Sequence, residues 1–225
     1  MPDVTIATEQ LIDGFIADTL AKQFRPDPSL DDETSRFVSV FSSLSRKDGF
    51  ILQHAVERAL LLAPQLHVWQ EPQFEISHAA DHLAKEDNVQ TCLRTELPYG
   101  LNAIRRISRD LIVVNPETRK AGSYDVKRGG GAVDCGKRRQ LICDTLATQM
   151  LLKDYVRGYG YDVDRAEARV ISVYGRTGLP ADITIRGDQL NQHFGAEIEA
   201  PVREAAELFR ERIAGILPQL GFRRV

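Results

Sequence analysis

The stretch that most restricts the fold is a pair of short apolar runs. Arg109-Asp110-Leu111-Ile112-Val113-Val114-Asn115 is followed, across the turn signal Asn115-Pro116-Glu117-Thr118, by Ser123-Tyr124-Asp125-Val126-Lys127-Arg128. β-branched Ile112, Val113 and Val114 favour an extended backbone, and Asn-Pro interrupts it. The pattern predicts a strand over 104–114 and a returning strand over 122–128. If the hairpin is centred near residues 118 and 119, Asp110 lies opposite Lys127, and Asp125 shares the face of Lys127 because side chains alternate with period two. Two carboxylates and an ammonium then converge, although a slip of one residue would reverse every face.

The flanking chain supplies helices. Leu11, Ile12, Phe15, Ile16 and Leu20 recur at helical spacing after Thr8, and Pro26 and Pro28 end that run. A second helix is predicted from Ser29 through Leu44 and a third over 48–63, closed by Pro64. On the third, Gln53 and Glu57 stack one turn apart on a polar face. Alternation over 67–76 predicts one strand or a bent pair, and 78–102 is irregular apart from a helix-like piece at 78–85. Beyond the hairpin, Lys137-Arg138-Arg139 opens a long helix to about Val156. A strand over 169–174 follows, then short and long helices at 187–194 and 201–217. The expected class is α/β, a central mixed sheet flanked by helices with extra helices at both ends. We expect a single domain, 1–225, with a helical extension at 1–47, a core at 48–175 and a second helical extension at 176–225.

Charge is uneven along the chain. Between Leu101 and Arg139 ten Lys/Arg face four Asp/Glu, a local +6 within a chain of net −3. A basic field confined to one region of an acidic protein suits a phosphate-bearing partner held at one place, and argues against a generally sticky polycation. Cys92, Cys135 and Cys143 are odd in number and widely spaced, which points to free thiols rather than a disulfide framework or a zinc site. No apolar run reaches the length of a membrane span and the N-terminus has no signal-like pattern, so a cytoplasmic location is expected.

Two carboxylates held together repel unless a cation lies between them. Mg²⁺ suits such a site, with Mn²⁺ as a substitute: it takes hard oxygen ligands and is usually held by one or two carboxylates plus a phosphate. Such an ion polarises a phosphoryl oxygen and makes a bound water nucleophilic at neutral pH, while Lys127 is placed to orient that water or stabilise developing charge. Asp110 and Asp125 are therefore the candidate metal ligands.

Asp110, fourteen intervening residues and then Asp125-Val126-Lys127, each at an apolar strand, resembles the PD-(D/E)XK nuclease superfamily (restriction-endonuclease-like). The helix, three strands, helix, strand order from Asp48 to Tyr174 is similar to that superfamily's core. The resemblance covers a little over half the chain. It implies that Asp110 is the first motif acid, Asp125 the second and Lys127 the motif lysine. Arg109 stands where the family has proline, and Asp125 where Glu is commoner. An acid or amide from the preceding helix often joins the site, which would be Glu57 or Gln53. The family's Gln-x-x-x-Tyr exonuclease element has no clean counterpart, since Gln149 and Tyr155 are six apart.

The resemblance thus implies a metal-dependent DNA endonuclease, in one version a restriction-type enzyme and a homodimer if both strands of a palindrome are cut. Arg109, Arg128, Lys137, Arg138 and Arg139 are the candidate contacts to the nucleic-acid backbone. The alternative is a catalytically silent module that keeps the fold for its basic face. Gly129-Gly130-Gly131 lacks the spacing of a phosphate loop and reads as a flexible linker. His78 and His82 share an i, i+4 face, and solvated histidines are the simpler reading.

Overall fold

The computed structural model describes residues 4–86, 88–131 and 134–220. The chain is α/β, with a five-strand mixed sheet and seven α-helices among the described residues. It divides into two compact units, one made of 1–59 with 197–225 and the other of 60–196.

The first unit is helical: α1 (Val4–Ala21), most of α2 (Asp32–Leu61) and α7 (Glu199–Ile216). α2 starts where Asp31 accepts the Thr34 N–H at 2.9 Å and the Thr34 hydroxyl at 2.7 Å, an N-terminal cap. Two helices are expected here, with a break between Leu44 and Asp48; the structure has one. No proline interrupts 45–49, and Gly49 costs only about 1 kcal/mol in a helix interior. Val40, Leu44, Ile51, Leu52, Ala55, Val56 and Ala59 bury one continuous stripe across the join. Arg212 pairs with Asp13 at 2.9 Å, an exposed pair of small energetic weight, and the half-buried Lys47 pairs with the exposed Asp18 at 3.4 Å.

The second unit carries the sheet. Its strands are β1 (His67–Ser77), β2 (Ala103–Asn115), β3 (Lys120–Lys127), β4 (Arg165–Ser172) and β5 (Thr184–Arg186), in that spatial order. β1–β2 and β2–β3 are antiparallel, while β3–β4 and β4–β5 are parallel. The long helix α5 (Cys135–Gly158) makes the β3-to-β4 crossover that a parallel pair requires. Its Leu146, Met150, Leu151 and Val156 pack on Phe74, Ile76, Ile112, Val114 and Ala121 from the sheet. Short helices α3 (His78–Glu86) and α4 (Val89–Arg94) extend this cluster through Ala80, Ala84 and Cys92. α6 (Leu190–Phe194) follows β5, which is too short to give a periodicity signal in the sequence.

Only Val170, Ile171 and Ser172 of β4 pair with β5, so the upstream half of that edge is uncovered. Gln149 of α5 fills the gap: its amide oxygen accepts the Ala168 N–H at 2.6 Å and its amide nitrogen donates to the Ala166 carbonyl at 3.0 Å. That buried side chain satisfies two backbone groups the sheet leaves over.

Candidate metal centre at the head of the hairpin

β2 and β3 pair as Leu111 with Tyr124, Ile112 with Ser123 and Val113 with Gly122. The hairpin is therefore centred between residues 117 and 118, and the register, continued one step past its last pair, would set Asp110 level with Asp125 rather than with Lys127. The offset from the expected register is two residues, an even number, which is why the same side chains still converge. The ladder stops at Leu111 and Tyr124, and from there the Asp110 carboxylate takes over: its Oδ2 accepts the Val126 N–H at 2.8 Å and lies 3.6 Å from Lys127 Nζ.

A bulge explains why the ladder ends. Between the pairs Trp69–Ile112 and Glu71–Arg109, β2 advances three residues while β1 advances two. The extra residue rotates Arg109 onto the face that carries Ile112 and Ser123. Arg109 Nε donates to Ser123 Oγ at 2.9 Å, and Nη1 donates to Asp125 Oδ2 at 2.9 Å. Expected as a contact to nucleic acid, Arg109 is instead 1% exposed and salt-bridged to a site carboxylate. Nothing in the spacing of Arg109 and Asp110 signals a bulge, since it depends on how β1, with Pro72 at its middle, pairs alongside.

The electrostatics follow from this packing. Burial raises the Asp110 pKa, Lys127 pulls it down, and the neighbouring Asp125 charge pushes it up again, leaving it above the usual carboxylate value. Oδ1 of Asp110 and Oδ1 of Asp125 have no hydrogen-bond partner among the described residues. Two hard oxygens left open on neighbouring carboxylates fit the donor set of a magnesium ion that completes its shell with water and phosphate. No group of three or more His, Cys, Asp or Glu side chains is placed to hold a metal among the described residues.

β4 fixes the end of β3. Parallel pairing continues past Lys127, whose carbonyl accepts the Val173 N–H at 3.0 Å, and Arg128 accepts from Tyr174 at 2.9 Å. The Gly129 carbonyl accepts the Arg176 N–H at 2.9 Å. Gly129 is buried with φ +70°, and the Ser172 hydroxyl occupies the place a β-carbon would take. The first glycine of the expected linker is thus a fixed corner. Arg128 is exposed beside the site, its guanidinium 5.6 Å from the centre of the Tyr174 ring.

The chain then enters α5, capped by Asp134, whose carboxylate accepts the Gly136 and Lys137 N–H groups at 3.0 and 3.3 Å. Lys137 and Arg139 are exposed on that first turn and Arg138 is half-buried. Glu57 and Gln53 lie on α2 within the first unit, half-buried, where the Glu57 charge raises the His54 pKa against a larger lowering by burial.

The opposite side of β3 and β4 holds a second polar cluster that the sequence did not suggest. The Tyr124 hydroxyl is 2.9 Å from His193 Nε2, which is 3.1 Å from Glu167 Oε1, while Arg169 Nε bonds Glu167 Oε2 at 2.7 Å. Burial pushes Glu167 up, but His193 and Arg169 outweigh it and hold the carboxyl at about 2. His78 and His82 stack with ring centroids 6.3 Å apart, and all three cysteines are free thiols. Among the described residues no helix is long and apolar enough to cross a membrane.

No family model matches the chain, and neither a curated protein nor a solved structure matches it.

Proposed function

We propose that the chain is a divalent-metal-dependent endonuclease acting on DNA, in keeping with the PD-(D/E)XK resemblance read from Asp110, Asp125 and Lys127. One observation carries the reading. Two carboxylates stand one residue beyond the last pair of adjacent antiparallel strands, each with an oxygen that accepts no hydrogen bond among the described residues, and an ammonium lies 3.6 Å from the first. The element order around them is a helix, a strand, two short helices, two further antiparallel strands, a crossover helix and a fourth, parallel strand; apart from α3 and α4 between the first two strands, it follows the order expected from the resemblance.

Asp110 and Asp125 would hold Mg²⁺ or Mn²⁺, which supplies Lewis acidity to the phosphoryl oxygen and an acidified water at neutral pH. The rest falls to the chain's own groups. Lys127, with its side chain 40% exposed, reaches toward solvent from a strand end and can place its ammonium against a phosphate oxygen as charge builds there. Arg128, Lys137, Arg138 and Arg139 follow within a few residues and present cations to the flanking phosphates, which position the nucleic acid without reading its sequence. Asp110, through Val126 N–H, and β4, through Val173 N–H, hold the strand that carries Asp125 and Lys127 in a fixed orientation.

The test is conversion of supercoiled plasmid to nicked or linear DNA in Mg²⁺ or Mn²⁺, compared with Asp125→Ala, with structured RNA as a parallel substrate. Cleavage that is lost in the variant and in chelator supports the proposal. DNA retention with no cleavage by either protein supports the silent-module alternative and overturns it.

A further inference from the structure

The four charges at the head of the hairpin sum to zero, Asp110 and Asp125 against Arg109 and Lys127. We infer that Arg109 is a built-in counter-cation for Asp125, a positioning residue that keeps the site's affinity for a free divalent ion low until a substrate phosphate enters with the metal. The inference rests on the metal-site reading above and adds to it how the site is loaded.

The two cations differ in kind. Lys127 is 40% exposed and 3.6 Å from its partner, so it can swing aside at little cost. Arg109 cannot move in this way: its side chain is 1% exposed, and two hydrogen bonds of 2.9 Å, to Ser123 Oγ and Asp125 Oδ2, fix the plane of the guanidinium. Its Nη2 is buried without a hydrogen-bond partner, so the group sits where Asp125 and Ser123 hold it.

Two consequences follow. Asp125 Oδ2 already accepts a charge-assisted hydrogen bond from Arg109, which makes Oδ1 the better donor to an ion. A fixed positive charge on the far side of the same carboxylate also repels a divalent ion, and burial keeps solvent from screening that repulsion. A phosphate group arriving with the ion restores the negative charge that Arg109 and Lys127 cancel. Metal and nucleic acid are then expected to bind with positive coupling, each raising the affinity of the other by the same factor.

The probe is Mn²⁺ alone, titrated without DNA and read from the electron paramagnetic resonance of the free ion. Wild type is compared with Arg109→Met, Arg109→Lys and Asp125→Asn, each checked by circular dichroism. Removing the charge in Arg109→Met is expected to tighten Mn²⁺ binding about ten-fold, while Arg109→Lys, which keeps the charge, stays near wild type. Asp125→Asn weakens it. A folded Arg109→Met that binds no more tightly than wild type overturns the inference, and so does an equal gain in Arg109→Lys.

Should Arg109→Met fail to fold, the wild-type protein gives the answer. The Arg109 Nε–H signal in an NMR titration with Mg²⁺ is expected to shift and saturate, and an unmoved signal at saturation overturns the inference. If wild type binds Mn²⁺ and cleaves DNA while Arg109→Met gains nothing, this inference alone falls. If no variant binds Mn²⁺ at millimolar concentration, the metal-site reading falls with it.

Discussion

Arg109 Nη1 stands 2.9 Å from Asp125 Oδ2, with the arginine 1% exposed, so one member of the carboxylate pair is already neutralised inside the protein. Asp110 has a weaker partner, the half-exposed Lys127 at 3.6 Å, and is the carboxylate whose charge the fold disfavours.

That difference predicts opposite effects of one substitution. The folded-state pKa of Asp110 is raised, chiefly by burial, so the native chain holds this proton more tightly than the unfolded chain. The contribution of this one group to stability is then fully present below the unfolded value of 3.8 and is lost as pH rises from there through the folded pKa. Asp110→Asn removes the penalty and keeps an oxygen to accept the Val126 N–H. The variant is expected to abolish cleavage and to melt higher than wild type at neutral pH, on a scale of about 2–4 °C per kcal/mol for a chain of this size. Thermal melts across acid to neutral pH check this, and a lower melting temperature at neutral pH counts against the electrostatic account.

The basic turn of α5 predicts a salt signature. If Arg138 and Arg139 each neutralise one DNA phosphate, the double alanine variant loses about 1.8 units from the slope of log affinity against log salt. The loss should be alike for unrelated duplex sequences, because phosphate contacts do not discriminate bases. Binding measured at several salt concentrations decides it; an unchanged slope removes these two residues from the interface.

Gln149, six residues before Tyr155 and so outside the spacing of an exonuclease element, closes the open edge of β4. Gln149→Leu leaves the buried Ala168 N–H and the half-buried Ala166 carbonyl without that partner. A loss of about 2–4 kcal/mol is expected, at roughly 1–3 per orphaned group with partial relaxation. Denaturant unfolding measures it, and a loss below about 1 kcal/mol would show that water replaces the amide.

Gly122 makes room for Tyr124. A β-carbon there would run into the Tyr124 ring and hydroxyl, so Gly122→Ala should displace that side chain and cost about 1–3 kcal/mol. Loss of the Tyr124–His193 hydrogen bond would be visible in the imidazole resonances of His193.

Glu167 predicts acid sensitivity. Its carboxyl is held at about 2, below the unfolded value of 4.5, by His193 and Arg169 acting against burial. The stabilisation is complete above 4.5 and is lost as pH falls from there toward 2. Glu167→Gln should cost about 1–2 kcal/mol at neutral pH, less than a fully buried pair because the side chain is 34% exposed, and should flatten the acid limb of the stability curve. An acid limb identical to wild type would mean that other carboxylates govern it.

By itself the sequence determined the strands of the hairpin and the long helix after it, and it singled out the three residues proposed to carry the chemistry. Apolar alternation, β-branching and turn residues act over a few positions, so they survive without knowledge of the fold. They also put Asp110, Asp125 and Lys127 on one side, because an even register error leaves every face unchanged. What only the tertiary structure decided depends on neighbours distant in sequence. The union of two expected helices into α2 came from a continuous buried stripe, and the role of Gln149 from a strand edge that β5 leaves uncovered. The burial of Arg109 came from a one-residue bulge against β1. That bulge turned a basic residue which local pattern assigns to the surface into the internal partner of Asp125, and local pattern holds no record of it because the extra residue is counted against another strand.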